Sequence, residues 1–233
     1  MLRICTISKI WSLLTFTRFT ERTKGKNMPK TGIRHIHALV IILITAILAG
    51  CATTGDQRVD ILYQRIVYTE RGTGDLYLAQ ESSVPSTGTT PIQWIIGEIT
   101  NNDGEKLGNI VTDVAPTDLL MEAFIQEFKG SGYNVFRESP IPQGATKGLK
   151  LKSVTIKLEE VKSVPKATAK CKVKISIEPW LNGKAVNKLE YEAEYEDTAI
   201  TDRDELLSKA MLQAIQTLMA RSVPEIIKTL EQK

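Results

Sequence analysis

The chain has 233 residues, 42% of them hydrophobic and 24% charged, with 30 Lys and Arg against 27 Asp and Glu and a formal net charge of +3. That is enough chain to bury a proper core, whereas 3 cysteines and 2 histidines are too few for a disulfide scaffold or a cysteine-rich zinc site. Where those few residues fall excludes more than their number does.

Residues 1–27 carry Arg3, Lys9, Arg18, Arg22, Lys24 and Lys26 against Glu21 alone. An organellar presequence is basic and acid-poor in this way, but the segment that follows argues for secretion instead. Lys30, Arg34, His35 and His37 form a basic flank, Ala38 to Ala49 an apolar core, and Leu48-Ala49-Gly50 a run ending in small residues before Cys51. The core falls short of the roughly 20 apolar residues that a spanning helix needs. A secretory basic region is only a few residues long, so Met28 is the expected initiator.

Leu48-Ala49-Gly50-Cys51 resembles a bacterial lipobox. The resemblance implies that a signal peptidase recognises Leu48, Ala49 and Gly50, that the chain is cut before Cys51, and that Cys51 is acylated on sulfur and nitrogen. Several acyl chains anchor stably where a single one is marginal. Ala52 stands where an Asp tends to retain such proteins at the inner membrane, which favours an outer-membrane anchor facing the periplasm. The expected division is therefore leader 1–50, lipidated tether 51–58 and one α+β domain over 59–233.

Cleavage leaves 183 of the 233 residues and removes 8 of the 30 basic and 1 of the 27 acidic residues, so the mature chain has 22 against 26 and a net charge of −4. That charge leaves no electrostatic footprint for nucleic acid or anionic lipid. Both histidines go with the leader, and with them Ser-His and Cys-His nucleophiles and imidazole metal ligands. Cys5 is lost and Cys51 is lipidated, which leaves Cys171 without a disulfide partner.

Along the mature chain, Ile61 to Tyr68 reads as a strand, Gly72-Thr73-Gly74-Asp75 as a turn and Leu76-Tyr77-Leu78 as a second strand. Residues 82–91 form a loop rich in Ser, Thr and Pro. Ile92 to Ile99 and Lys106 to Thr112 make a hairpin around Asn101-Asn102-Asp103-Gly104, whose residues tolerate positive φ. Those side chains lack the spacing of a calcium loop.

Pro116-Thr117-Asp118 opens a helix with Leu119, Leu120, Ala123, Phe124 and Phe128 along one stripe and Glu122, Gln126, Glu127 and Lys129 opposite. Gly130-Ser131-Gly132 ends it, and Tyr133 to Phe136 returns as a strand.

Leu149 to Val161 is a long strand whose apolar phase changes near Ser153, the mark of a bulge. In the next strand Ala167, Ala169, Cys171, Val173, Ile175 and Ile177 alternate with polar residues. A three-residue loop, Leu181-Asn182-Gly183, then sets Lys174 opposite Glu190, Lys172 opposite Glu192 and Lys170 opposite Glu194. Thr201 to Asp204 resembles a capping box for a helix over 202–222, and Ser222-Val223-Pro224-Glu225 starts a short last helix through Leu230.

Three groups are candidates for chemistry. Ser163-Val164-Pro165-Lys166 has the spacing of a serine–lysine acyl-transfer pair, but it sits in a proline turn rather than at a helix start. The glutamate row 190–196 faces lysines that neutralise it. Trp94 and Trp180 are candidate binding aromatics. No catalytic residue, cofactor or metal site is assigned.

Pro116-Thr117-Asp118-Leu119-Leu120 through Gly132-Tyr133-Asn134-Val135 resembles the helix and following strand of the YajG-like bacterial lipoproteins, with the likeness covering about residues 90–222. The resemblance implies a periplasmic α+β domain on an outer membrane with no established enzymatic role. The expected fold is an antiparallel sheet with two main helices on one face and the Lys/Glu face in water. The expected role is non-catalytic binding or scaffolding, with the membrane and another envelope protein as partners. An auxiliary subunit of an envelope transport or secretion complex is the alternative, and a carboxylate-based hydrolase the weaker one.

Overall fold

Six apolar residues alternating without a fault must lie under a cover. In the computed structural model, which describes residues 55–66, 70–81, 92–201 and 203–232, Ala167, Ala169, Cys171, Val173, Ile175 and Ile177 are all fully buried. The strands are β1 (Gln57–Arg58), β2 (Asp75–Gln80), β3 (Trp94–Asn101), β4 (Lys106–Thr112), β5 (Asn134–Arg137), β6 (Lys147–Lys162), β7 (Ala167–Leu181), β8 (Lys184–Ala185) and β9 (Leu189–Ala199). The helices are α1 (Pro116–Ser131) and α2 (Arg203–Leu230). The described residues belong to one compact unit. The leader and the lipobox residues Leu48, Ala49, Gly50 and Cys51 lie outside them.

One edge of β6 pairs along its whole length with β7, and β7 pairs in turn with β9, all antiparallel. Along its other edge β6 takes two strands end to end, β2 beside Gly148 to Leu151 and β3 beside Leu158 to Lys162, both parallel. β5 also lies parallel to β2, and β1 parallel to β4. The α+β class with two helices holds, but the sheet is mixed rather than antiparallel throughout. Neighbours far apart in the chain are brought together by packing, which local patterns do not encode.

α2 lies over β7 and β9, and α1 over β6, β2 and β5. α2 runs unbroken through Pro224, where the sequence predicts a separate last helix. Val223, Ile226, Ile227 and Leu230 are buried and extend the stripe of Leu207, Met211, Ala214 and Leu218. Burying that turn offsets the hydrogen bond the proline cannot donate. The expected capping box includes Asp202, outside the described residues. α1 ends as expected, with Gly132 in the left-handed region at φ 108°.

One local expectation holds and three change. The bulge near Ser153 is present, between Leu151 and Ser153. The β7–β8 turn, however, has two residues, Asn182 and Gly183, both at positive φ, with Leu181 already paired to Lys184. An extra residue is then taken up between β8 and β9, so Lys174 lies opposite Glu192, and Lys172 opposite Glu194. The register is two residues from the one expected.

Ile61 to Ile66 forms no strand; residues 67 and 68 of the expected strand lie outside the described residues. The segment alternates like a strand because Val59 and Tyr63 are buried, but side chains take the place of a partner strand. Gln216 donates to the Gln64 carbonyl at 2.9 Å, and the Ile66 N–H donates to Glu127 at 2.9 Å. The segment is a strap across both helices. Gln57 and Arg58, expected in the tether, pair instead with Ile110 and Val111.

Candidate interaction surface

Residues that alternate out of the core in β6, β7 and β9 meet on the face opposite the helices. There Lys157, Glu159, Lys170, Lys172 and Lys174 line an open hollow of about 510 Å³ with Thr155, Glu192 and Glu194. Although the register is shifted, the expected ion pairs form along diagonals: Lys170 to Glu194 at 2.8 Å, Lys172 to Glu192 at 2.7 Å and Lys174 to Glu190 at 3.7 Å. Long side chains reach a diagonal neighbour as well as a direct one. Hydrogen bonds donated to Glu194 and Glu192 hold the Lys170 and Lys172 ammonium groups above their ordinary pKa. Lys188 and Lys172 hold the Glu190 and Glu192 carboxyls below theirs.

Lys157 is different. It stands directly opposite Lys172, and no carboxylate among the described residues lies within ion-pair distance of it. Like charges placed opposite one another oppose strand pairing. Among the described residues, the hollow therefore holds one lysine that makes no ion pair.

The other residues singled out from the sequence are dispersed. Trp180 lines a second hollow of about 260 Å³ with Gln80, Glu81, Pro140, Ile141 and Lys150, and its indole N–H donates to Glu178 at 3.3 Å. Trp94 is half-buried and packs against the core. Ser163 donates its hydroxyl to the Lys166 carbonyl at 2.6 Å, so the serine engages the lysine's backbone and closes a turn. The Asn101 side-chain oxygen accepts from the N–H groups of Asp103 and Glu105 at 2.9 and 2.8 Å, a turn contact rather than a cation ligand. Among the described residues, no group of three or more His, Cys, Asp or Glu could hold a metal ion, and no helix is long and apolar enough to cross a membrane.

Cys171 sits in the core, and burial pushes its thiol up to about 12. A thiolate is the reactive form, so Cys171 should react with a thiol reagent only after denaturation. Labelling in native buffer at the rate of a model thiol would contradict this.

Periodicity misplaces one group. It sets Glu127 on the polar face of α1, yet the strap covers that face and Glu127 is fully buried. Its Oε1 accepts from the Tyr63 hydroxyl and from the Ile66 N–H, while Oε2 has no hydrogen-bond partner among the described residues. Desolvation raises the pKa of this carboxyl above the usual range, against the pull of those two donors and of Arg65. Desolvation likewise raises that of Glu160, which faces Lys162 and Arg203. Each of the two carboxyls answers to its own neighbours, and neither lines the hollow on the outer face.

No family model matches the chain, and no curated protein matches it. Several solved structures are similar to it. A Xanthomonas campestris protein assigned to the DUF330 family model is 13% identical, with 75% of this chain and 95% of that one covered at a TM-score of 0.44. A putative neuraminyllactose-binding hemagglutinin homolog from Helicobacter pylori is 15% identical, with 75% and 93% covered at 0.34. The rare lipoprotein B from Shewanella oneidensis is 12% identical, with 57% and 92% covered at 0.29.

Proposed function

We propose that this chain is a YajG-like envelope lipoprotein, anchored in the outer membrane through acyl chains on Cys51 and facing the periplasm. Its role is non-catalytic: it binds an acidic segment of another envelope protein through the outer face of β6, β7 and β9. The observation that carries the binding role is Lys157, set against Lys172 in an open hollow and without an ion-pair partner among the described residues. An acidic partner relieves that repulsion and steers its own approach. The absence of histidine downstream of Cys51 and the buried, high-pKa thiol of Cys171 support binding over nucleophilic catalysis.

Two measurements test this reading. Mass spectrometry of the mature amino terminus should show acylated Cys51; an unmodified terminus would sink the anchor. Crosslinking in whole cells followed by pull-down should recover a partner with the wild type and lose most of it with Lys157→Glu. Equal recovery from both would remove the outer face as the binding surface. A stable multi-subunit complex on gentle detergent extraction would favour an auxiliary role in a transport or secretion machine.

A further inference from the structure

The charged ladder on the outer face does not reach both ends of the sheet. Past Glu159, Lys170 and Glu196 it gives way to Val161, Thr168 and Thr198, which stand in one row across β6, β7 and β9. Beyond that uncharged row lie the β6–β7 turn and the segment that leads into α2. There Val164 is 94% exposed and Ile200 66%, with Val161 at 38%. The turn is held in place: Ser163 N–H donates to the Lys166 carbonyl at 2.9 Å, and Arg203 donates to the Pro165 carbonyl. Three β-branched apolar side chains are thus presented outward at one end of the molecule.

The amino-terminal chain enters at the same end. β1 runs parallel to β4, so residues ahead of Gln57 lead toward the start of β4 at Lys106. The Asp56 carboxylate accepts from the backbone and side-chain N–H groups of Asn109, both at 2.9 Å. The Gly55 carbonyl lies so close to Gly108 that a Cβ there would sit 2.3 Å from it. Gly108 is level with Ile99, and Ile99 with Glu160, the residue before Val161. Four peptide units from Gly55 back to Cys51 reach at most about 14 Å. The three strand spacings from β1 to β6 come to about 15 Å. The span that joins Cys51 to Gly55 is thus no longer than the distance from β1 to β6.

We infer that the end of the sheet bearing Val161, Val164 and Ile200 rests on the phospholipid surface that holds the acyl chains of Cys51, with Val164 and Ile200 seated among the headgroups. This inference rests on the reading of Cys51 as lipidated. The apolar side chains gain by leaving water, and although the domain as a whole is mildly acidic, exposed Lys166 beside Val164 sets one local cation at the level of the headgroup phosphates. Seated this way, β6, β7 and β9 stand upright on the bilayer, and the lysine-lined hollow opens sideways to the periplasm.

The test uses the full chain extracted from membranes and reconstituted in vesicles of phosphatidylethanolamine and phosphatidylglycerol. Single variants Val164→Cys and Ile200→Cys carry an environment-sensitive dye, with Ile95→Cys, 70% exposed toward the other end of β3, as the reference. Buried Cys171 stays unlabelled. At positions 164 and 200 the dye should shift to the blue and lose at least half its intensity when the lipids are brominated; at 95 it should do neither. Mass spectrometry of the same samples separates the two readings. An acylated terminus with all three dyes equally in water overturns the seating alone. An unacylated terminus overturns the anchor and the seating with it.

Discussion

Phe128→Ala is expected to lower the unfolding free energy by about 3–5 kcal/mol, the range for truncating a fully buried aromatic side chain. Phe128 is wholly buried, stacks on Phe124 with ring centroids 5.8 Å apart, and meets the edge of Tyr133 at 5.9 Å. It thereby joins the stripe of α1 to the residue that leads into β5. The alanine leaves a cavity where these elements converge, and a helix with both ends fixed in the fold collapses poorly into it. Urea unfolding followed by circular dichroism should show an earlier midpoint with an unchanged slope. A loss below about 1 kcal/mol would mean that the site refills and that the ring contacts matter little. Phe128→Leu, which keeps most of the apolar volume, should fall between the two.

Glu127 has the second large effect, and its sign depends on pH. Glu127→Ala removes the acceptor that the Tyr63 hydroxyl and the part-buried Ile66 N–H share, and a buried donor or acceptor that loses its partner costs about 1–3 kcal/mol. Glu127→Gln keeps an oxygen for both donors and removes the charge. Because the folded-state pKa is raised, folding favours the protonated carboxyl. The stability contributed by that proton is fully present below the unfolded value of 4.5 and is lost as pH rises through the raised folded value. Glu127→Gln should therefore match the wild type in acid and exceed it at neutral pH. Thermal melts of both proteins across that range measure the difference. A glutamine variant less stable than wild type at neutral pH would show that the donors hold the carboxylate charged.

Glu127 also shows where periodicity stops. Three-to-four spacing placed the stripe of α1 correctly, with Leu120, Ala123, Phe124 and Phe128 all buried. It also put Glu127 in water, because a stripe records which face meets the sheet and not what is later laid over the other face. The strap that buries Glu127 comes from more than 60 residues earlier in the chain, as the separation of 64 between Tyr63 and Glu127 records. Its own alternation is real, since Val59 and Tyr63 point inward, yet alternation alone does not say whether a strand or helix side chains complete its hydrogen bonds.

The outer face divides in the same way. Each lysine and glutamate of the expected pairs is on the expected side, because side-chain direction in a strand has a period of two and needs only local sequence. The register depended on one residue of turn length. Asn182-Gly183 adopts a two-residue turn, and an extra residue is absorbed before β9, so the pairs form on diagonals instead of directly across. Lys157 was legible only as one more exposed lysine; its place opposite Lys172 needed the β6–β7 register and the bulge at Ser153.

By itself the sequence determined the alternating core of β7, the bulge in β6, the stripe and glycine stop of α1, and the charged outer face. All of these follow from side-chain periods and turn chemistry within a few residues. The tertiary structure alone decided the parallel pairings of β2 and β3 along one edge of β6, the unbroken course of α2 through Pro224, and the burial of Glu127. Each of these is a choice between surfaces that distant segments offer one another. Such choices are settled by the apolar area that closing the whole core removes from water, not by the preference of any one stretch.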